Sequence, residues 1–259
     1  MSGAGFRAGV LVLAALALAG CASTSERQAE QARRQRLADT HTQLGASYLQ
    51  RGQLEIAKEN LEKALIADPD SSQAANMMAL LQWRLRNYAE AERYFHKAVD
   101  VEQSNPEAQN NYGVFLCERG RPDEAIEWFG KAAANPLYKT PDMAQANAGA
   151  CLMRKPAPTV AEKHFREALV HNPKLPVALN YMAKISYDSG RPIAARGFIQ
   201  RYFQAADDTP ETLLLAVRIE RALRNRNEEG SYALRLKAKF PDSPEAVQLQ
   251  RERAGVRAR

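Results

Sequence analysis

Ala57, Ala91 and Ala125 stand 34 residues apart, and the residues around them recur at the same offsets. Each is preceded by a glycine or alanine (Gly45, Ala79, Gly113), followed by a large apolar residue (Leu61, Phe95, Phe129) and then by another alanine (Ala64, Ala98, Ala132). The pattern between these points is amphipathic with a helical period, broken once per unit by a turn, most plainly at Gly120-Arg121-Pro122. That is the grammar of a helical hairpin. Small residues let two helix axes approach closely, and the larger side chain one turn later fills the groove between them. A lone hairpin cannot bury its apolar face, so a chain of copies must stack them, and a stack presents a binding surface rather than a catalytic pocket. With 45% hydrophobic residues but only 7% aromatics, the chain is suited to helices packed through alanine, and nothing reads as a sheet.

The units run over about residues 38–71, 72–105, 106–139, 142–175, 176–209 and 210–243. The first carries Leu44-Gly45, Tyr48, Gly52 and Pro69; the fourth carries Gly149, Ala161, Phe165, Ala168 and Pro173. Ala125 to Ala161 is 36 residues, so two have been added near Leu137 to Pro141, where a loop can absorb them. The fifth returns to register with Ala183, Gly190-Arg191-Pro192, Ala195 and Ile199. In the sixth, Glu229 and Leu236 replace small residues, which marks it as a terminal cap. Small and large residues at these offsets in a 34-residue unit match the tetratricopeptide pattern. The expected fold is therefore all-α: a tetratricopeptide-repeat superhelix of about six helix-turn-helix repeats, then one short helix and a basic tail over 244–259.

The chain opens with MSGAGFRAGVLVLAALALAGC, a secretory leader with one basic residue, Arg7, and an apolar run too short to span a membrane. Leu18-Ala19-Gly20-Cys21 resembles the bacterial lipobox, which implies cleavage after residue 20 and three acyl chains on Cys21, enough for stable anchoring. With Ala22 rather than Asp after the cysteine, the resemblance points to the periplasmic face of the outer membrane. Residues 21–37 then form a lipidated N-terminus and linker, a tether or frayed helical lead-in with no apolar side chain larger than alanine between Ala22 and Arg36. The net charge of +6 lies largely at the two ends of the mature chain, reads as solvated ends, and implies no nucleic-acid partner.

No active site emerges, so an enzyme is not expected. His41, His96, His164 and His171 lie apart along the chain, without the i, i+4 partner a metal pair needs, and no metal or cofactor is expected beyond the covalent lipid. Cys117 and Cys151 stand in the first helices of adjacent repeats. They are either a disulfide or two small buried apolar residues, and their offsets differ by two positions, which bears on the Cα separation. A helical projection places Thr42, Ala46, Leu49, Asn76, Leu80, Trp83, Asn110, Val114 and Cys117 along the concave groove. Without a Lys and Arg cluster, that stripe suits an amphipathic or extended segment rather than a terminal carboxylate. Leu80 and Trp83 equally well pack between repeats.

These residues together resemble one family, the type IV pilus biogenesis and stability lipoproteins called PilW or PilF, pilotins of the pilus secretin. The resemblance rests on the lipobox with six repeats, Asn111-Tyr112-Gly113 leading to Phe115-Leu116-Cys117, Gly149-Ala150-Cys151-Leu152, and the stretches Arg218 to Ala222, Ser231 to Leu234 and Lys239 to Ser243. It implies a protein, monomeric in isolation, that binds secretin subunits through its first repeats and helps them reach and multimerise in the outer membrane. The rival reading is a repeat scaffold lipoprotein of another envelope machine, for β-barrel assembly or cell-wall remodelling.

Overall fold

The computed structural model describes the backbone over residues 4–101, 105–155 and 157–257, and side chains over 26–101, 105–155 and 157–252. The leader, the Cys21 side chain and the last residues of the basic tail therefore lie outside the described side chains. The described residues form thirteen helices and no strand, in two compact units, Met1–Asn111 and Tyr112–Arg259, whose boundary falls within α5 (Pro106–Glu118).

The first unit holds α1 (Ala4–Gln50), α2 (Leu54–Ala67), α3 (Ser72–Arg84), α4 (Tyr88–Val101) and the start of α5. The expected linker is helical, because α1 begins long before residue 38. Its sequence is rich in good helix formers, and Arg34 reaches Glu30 at 3.1 Å across one turn. The α1–α2 turn closes with the Gln53 amide donating to the Tyr48 carbonyl at 2.9 Å, with Gly52 in the left-handed region at φ 74°. The α3–α4 turn makes the same bond from Asn87 to Gln82 at 2.9 Å but places Arg86 at φ 64°, which costs about 1 kcal/mol relative to glycine. Leu49, Ala57, Leu61, Met78 and Leu81 form the core. Gly45 is required there: a Cβ would stand 2.6 Å from Leu61 Cγ.

The second unit continues α5 and adds α6 (Pro122–Ala134), α7 (Pro141–Leu152), α8 (Pro158–His171), α9 (Pro176–Asp188), α10 (Pro192–Ala205), α11 (Pro210–Ala222), α12 (Arg226–Lys239) and α13 (Pro244–Arg257). Every one of these except α12 starts at a proline, whose missing amide proton costs nothing at the first helical position. The two added residues sit in the α6–α7 loop: the Asn135 side chain accepts from the Leu137 amide at 2.9 Å, and Tyr138 is buried beside Ala132 and Ala144. The cap differs from expectation. Leu236 of the sixth repeat is fully buried, and α13, 14 residues rather than a short helix, lays Ala246 and Leu249 into the same cluster. Glu229 stands where a small residue was expected because it receives Arg221 at 2.9 Å; Arg221 and Arg218 also hold Glu252 of α13, at 3.0 and 2.6 Å.

Candidate binding surfaces

The structure corrects part of the groove expected from the helical projection. Thr42, Leu49 and Asn76 are buried rather than presented to a partner. The Thr42 hydroxyl donates to the Ala38 carbonyl at 2.8 Å, Leu49 packs with Met78 and Leu81, and Asn76 accepts from the Asn111 amide at 3.2 Å. A projection sorts positions by angle, whereas these three face the neighbouring helix. Ala46, Leu80, Trp83 and Asn110 of the first unit and Val114 of the second remain half-buried, with the Trp83 ring edge-on to Phe95 at 6.3 Å between centroids. Three of the histidines have partners: His41 Nδ1 lies 3.1 Å from Asn60 Oδ1, His164 Nδ1 2.8 Å from Gln145 Oε1, and His96 Nε2 3.9 Å from Glu92 Oε1.

Repeat one also leaves an uncovered face. In α3, Ala74, Met78 and Leu81 are essentially inaccessible, Met78 and Leu81 packing with Leu49 of α1 and Ala57 and Leu61 of α2; the same register is buried in α7 (Ala144, Ala148, Cys151), α9 (Ala178, Met182, Ile185) and α11 (Thr212, Ala216, Ile219). In α1 that register is Thr40, Leu44 and Ser47. Thr40 is exposed, Leu44 is 42% exposed and Leu37, two turns before Leu44, 51%. No hairpin precedes α1 to cover them among the described residues.

In the second unit, Cys117 of α5 and Cys151 of α7 are joined as a disulfide with their Cα atoms 5.8 Å apart, within the span a bridge requires. The two-position offset between them is the ordinary one for side chains meeting across neighbouring repeats. Leu49 and Leu81 hold the same two registers in the first unit and share one cluster. The Arg154 guanidinium donates to the Cys117 carbonyl at 3.2 Å, and Lys155 pairs with Asp123 at 2.7 Å.

A cleft of about 320 Å³ opens beside this bridge, with Cys117, Cys151 and Phe129 in its lining. Val114 of α5, Ala150 of α7, Met153 and Tyr181 of α9 make it largely apolar; Glu118, Asn147, Arg154 and Lys184 supply its polar groups. Tyr181 is held by stacking on Phe165, centroids 4.7 Å apart and rings within 12° of parallel. The helical projection included Val114 and Cys117 but stopped short of repeats four and five. Gly149 was the available signal, because its missing side chain seats the Phe165 ring, 2.8 Å from where a Cβ would lie.

Stacked helical hairpins with uncovered apolar faces define a tetratricopeptide-repeat protein, a fold that works through protein–protein contacts. Family models described as tetratricopeptide repeat match residues 38–71 and 76–140. The chain is 30% identical over 249 residues to the type IV pilus assembly protein PilF of Pseudomonas aeruginosa, covering 95% of this chain and 99% of that protein, and it belongs to the PilF family. The solved structure of Pseudomonas aeruginosa PilF aligns with a TM-score of 0.78 at 31% identity, covering 85% of this chain and 99% of that one. That of PilW, a widely conserved type IV pilus biogenesis factor, aligns at 0.73 and 30% identity, covering 82% and 98%. Like these assembly proteins, the chain is not an enzyme.

Proposed function

We propose that this protein is the pilotin of a type IV pilus secretin: an outer-membrane lipoprotein that binds secretin subunits, carries them to the outer membrane and promotes their multimerisation. Membership in the PilF family supports a role in pilus biogenesis through protein contacts. The lipobox-like Leu18-Ala19-Gly20-Cys21 supports anchoring through acyl chains on Cys21, with Ala22 favouring the periplasmic face of the outer membrane. The mechanism is tethering: lipid and binding surface on one chain turn a search through the periplasm into a local encounter.

One observation carries the choice of surface, the open face of α1. Thr40 and Leu44 lie uncovered where the corresponding residues of α3, α7, α9 and α11 are sealed by a neighbouring hairpin, and the exposed Leu37 extends that face. An amphipathic secretin helix laid along this face would stand in for the missing neighbour, burying apolar side chains at i and i+7. Ala46, Leu80 and Trp83 offer further half-exposed area in the same unit.

The test pairs Leu37→Asp with Leu44→Asp in the full-length chain. Circular dichroism and outer-membrane fractionation should be unchanged, while secretin recovered with the protein falls at least about tenfold, since two buried leucines contribute roughly 1.5–3 kcal/mol each. Normal levels of heat-stable secretin multimers in a deletion strain would defeat the pilotin reading altogether. Cys21→Ala should leave the repeats folded and the secretin mislocalised; correctly placed secretin in that strain would separate binding from the lipid.

A further inference from the structure

The cleft beside the Cys117–Cys151 bridge lies in repeats three to five and plays no part in the pilotin reading. We infer that it is a second binding site, which takes an extended peptide segment alternating apolar and acidic side chains.

The argument starts from rigidity. The disulfide ties α5 to α7, and the Phe165 stack fixes Tyr181 of α9, so these three of the helices that line the cleft hold it open without a ligand. A preformed site loses little ordering entropy on binding. Its apolar part, Val114, Ala150, Met153 and Tyr181, spans about 320 Å³ with the rest of the lining, at the small end of ligand sites and enough for two or three side chains. Its polar part carries two cations, Arg154 and Lys184, against the single carboxylate of Glu118. Arg154 is held by the Cys117 carbonyl through one nitrogen, which leaves further guanidinium N–H donors for a ligand. Lys184 pairs with Asp188, at 3.1 Å on an exposed helix face, a contact weak enough to be exchanged for a ligand carboxylate. In an extended chain successive side chains point to opposite sides, so an apolar residue seated on Val114, Ala150 and Tyr181 turns its neighbours towards the charged rim. An acidic neighbour is the one that Arg154 and Lys184 stabilise.

The site is tested with the full-length protein in detergent micelles and two sets of fluorescein-labelled pentapeptides blocked at both ends. In one set Leu alternates with Asp or Glu; in the other, with Asn or Gln. Anisotropy should show the acidic set binding about fivefold more tightly, the contribution of one or two exposed ion pairs. Lys184→Gln should narrow that difference. Ala150→Trp, which fills the cleft, should abolish binding while leaving the thermal melt and secretin multimers unchanged, and Leu44→Asp should leave peptide binding intact. Equal affinity for the two sets, no binding by either, or full binding in the Ala150→Trp variant overturns the inference without touching the pilotin reading. Binding that requires a free C-terminal carboxylate, checked with unblocked peptides, overturns it in favour of an end-recognition site.

Discussion

Two joints between neighbouring repeats, one in each compact unit, occupy the same register and are built from different chemistry. In the first unit Leu49 of α1 and Leu81 of α3 pack together, and Arg84 of α3 donates to the Leu49 carbonyl at 2.8 Å. In the second, Cys117 of α5 and Cys151 of α7 are covalently joined, and Arg154 donates to the Cys117 carbonyl at 3.2 Å. Even the flanking polar pair is conserved in place and exchanged in identity: His41 on the first helix faces Asn60 on the second in repeat one, while Gln145 faces His164 in repeat four. The repeat thus specifies that a small apolar contact and a satisfied carbonyl must exist at this point, and leaves open what supplies them. Cysteine is smaller than leucine, and the bridged joint has a cleft beside it.

The most disruptive way to break the comparison is to remove the side chain that fills each hairpin. Leu61 and Phe165 are both completely buried. Phe165→Ala should cost about 3–5 kcal/mol and Leu61→Ala about 2–5 kcal/mol, read as loss of hydrogen-exchange protection in the unit concerned. Phe165→Ala should also unseat Tyr181 and weaken the cleft, an effect with no counterpart in the first unit. Equal losses of protection in both units after either substitution would show that the units do not unfold separately.

Removing the bridge comes next. Cys117→Ser with Cys151→Ser opens a loop of sequence separation 34 and should lower the stability of the second unit by about 3 kcal/mol. Cys117→Leu with Cys151→Leu sharpens the point, because it copies the first joint into the second. If register alone makes the joint, the leucine pair should recover part of the loss through burial while the cleft fills, measured by urea midpoint and by peptide binding. A leucine variant less stable than the serine variant would mean that the second joint has no room for the first joint's solution.

The repeats were legible because each depends on a few small residues at fixed offsets, and those offsets survive even at Gly45, Gly113 and Gly149, where a Cβ would collide with Leu61, Phe129 or Phe165. The surfaces were less so. Thr42, Leu49 and Asn76 share a helical stripe with Ala46 and Leu80, but whether a residue faces solvent depends on the neighbouring helix, which a projection does not contain. The cap was misplaced for a related reason. Glu229 looked like a lost packing residue, yet it balances Arg221 beneath α13, a partner 23 residues further along at Glu252 completing the network.

A smaller effect concerns the arginines. Arg84→Met and Arg154→Met each remove one charge-assisted bond to a carbonyl and retain the aliphatic stem, so each should cost about 1–2 kcal/mol in its own unit. Matching losses would show that the two joints use the bond equally. A markedly smaller loss at Arg154 would mean that the disulfide already holds the helices in place.

The smallest effect should distinguish the two units by pH. The Arg191 hydrogen bond, helped by Arg166, holds Glu162 below the usual carboxylate value against the opposing effect of burial. Burial likewise opposes ionisation of Asp208 and Glu252, but Lys239 and Arg235 outweigh it at the first and Arg218 and Arg221 at the second, so both titrate low. Burial, helped by Lys163, also lowers His164. For each group the unfolded chain binds a proton more readily than the folded one, so the stabilisation is complete at neutral pH and declines on acidification. His164 should contribute its loss as the pH falls through the ordinary imidazole range near about 6.5, and the three carboxylates only further down, as it falls through and below the ordinary carboxylate range near about 4. All four belong to the second unit, from α8 to α13. Hydrogen exchange should therefore show protection in α8 to α13 falling before that in α1 to α4, and Glu252→Gln should remove part of the pH dependence at the α11–α13 contact. Simultaneous loss in both units would place the acid-sensitive step elsewhere, for instance in charge repulsion across a chain that carries +6 at neutral pH and more below it.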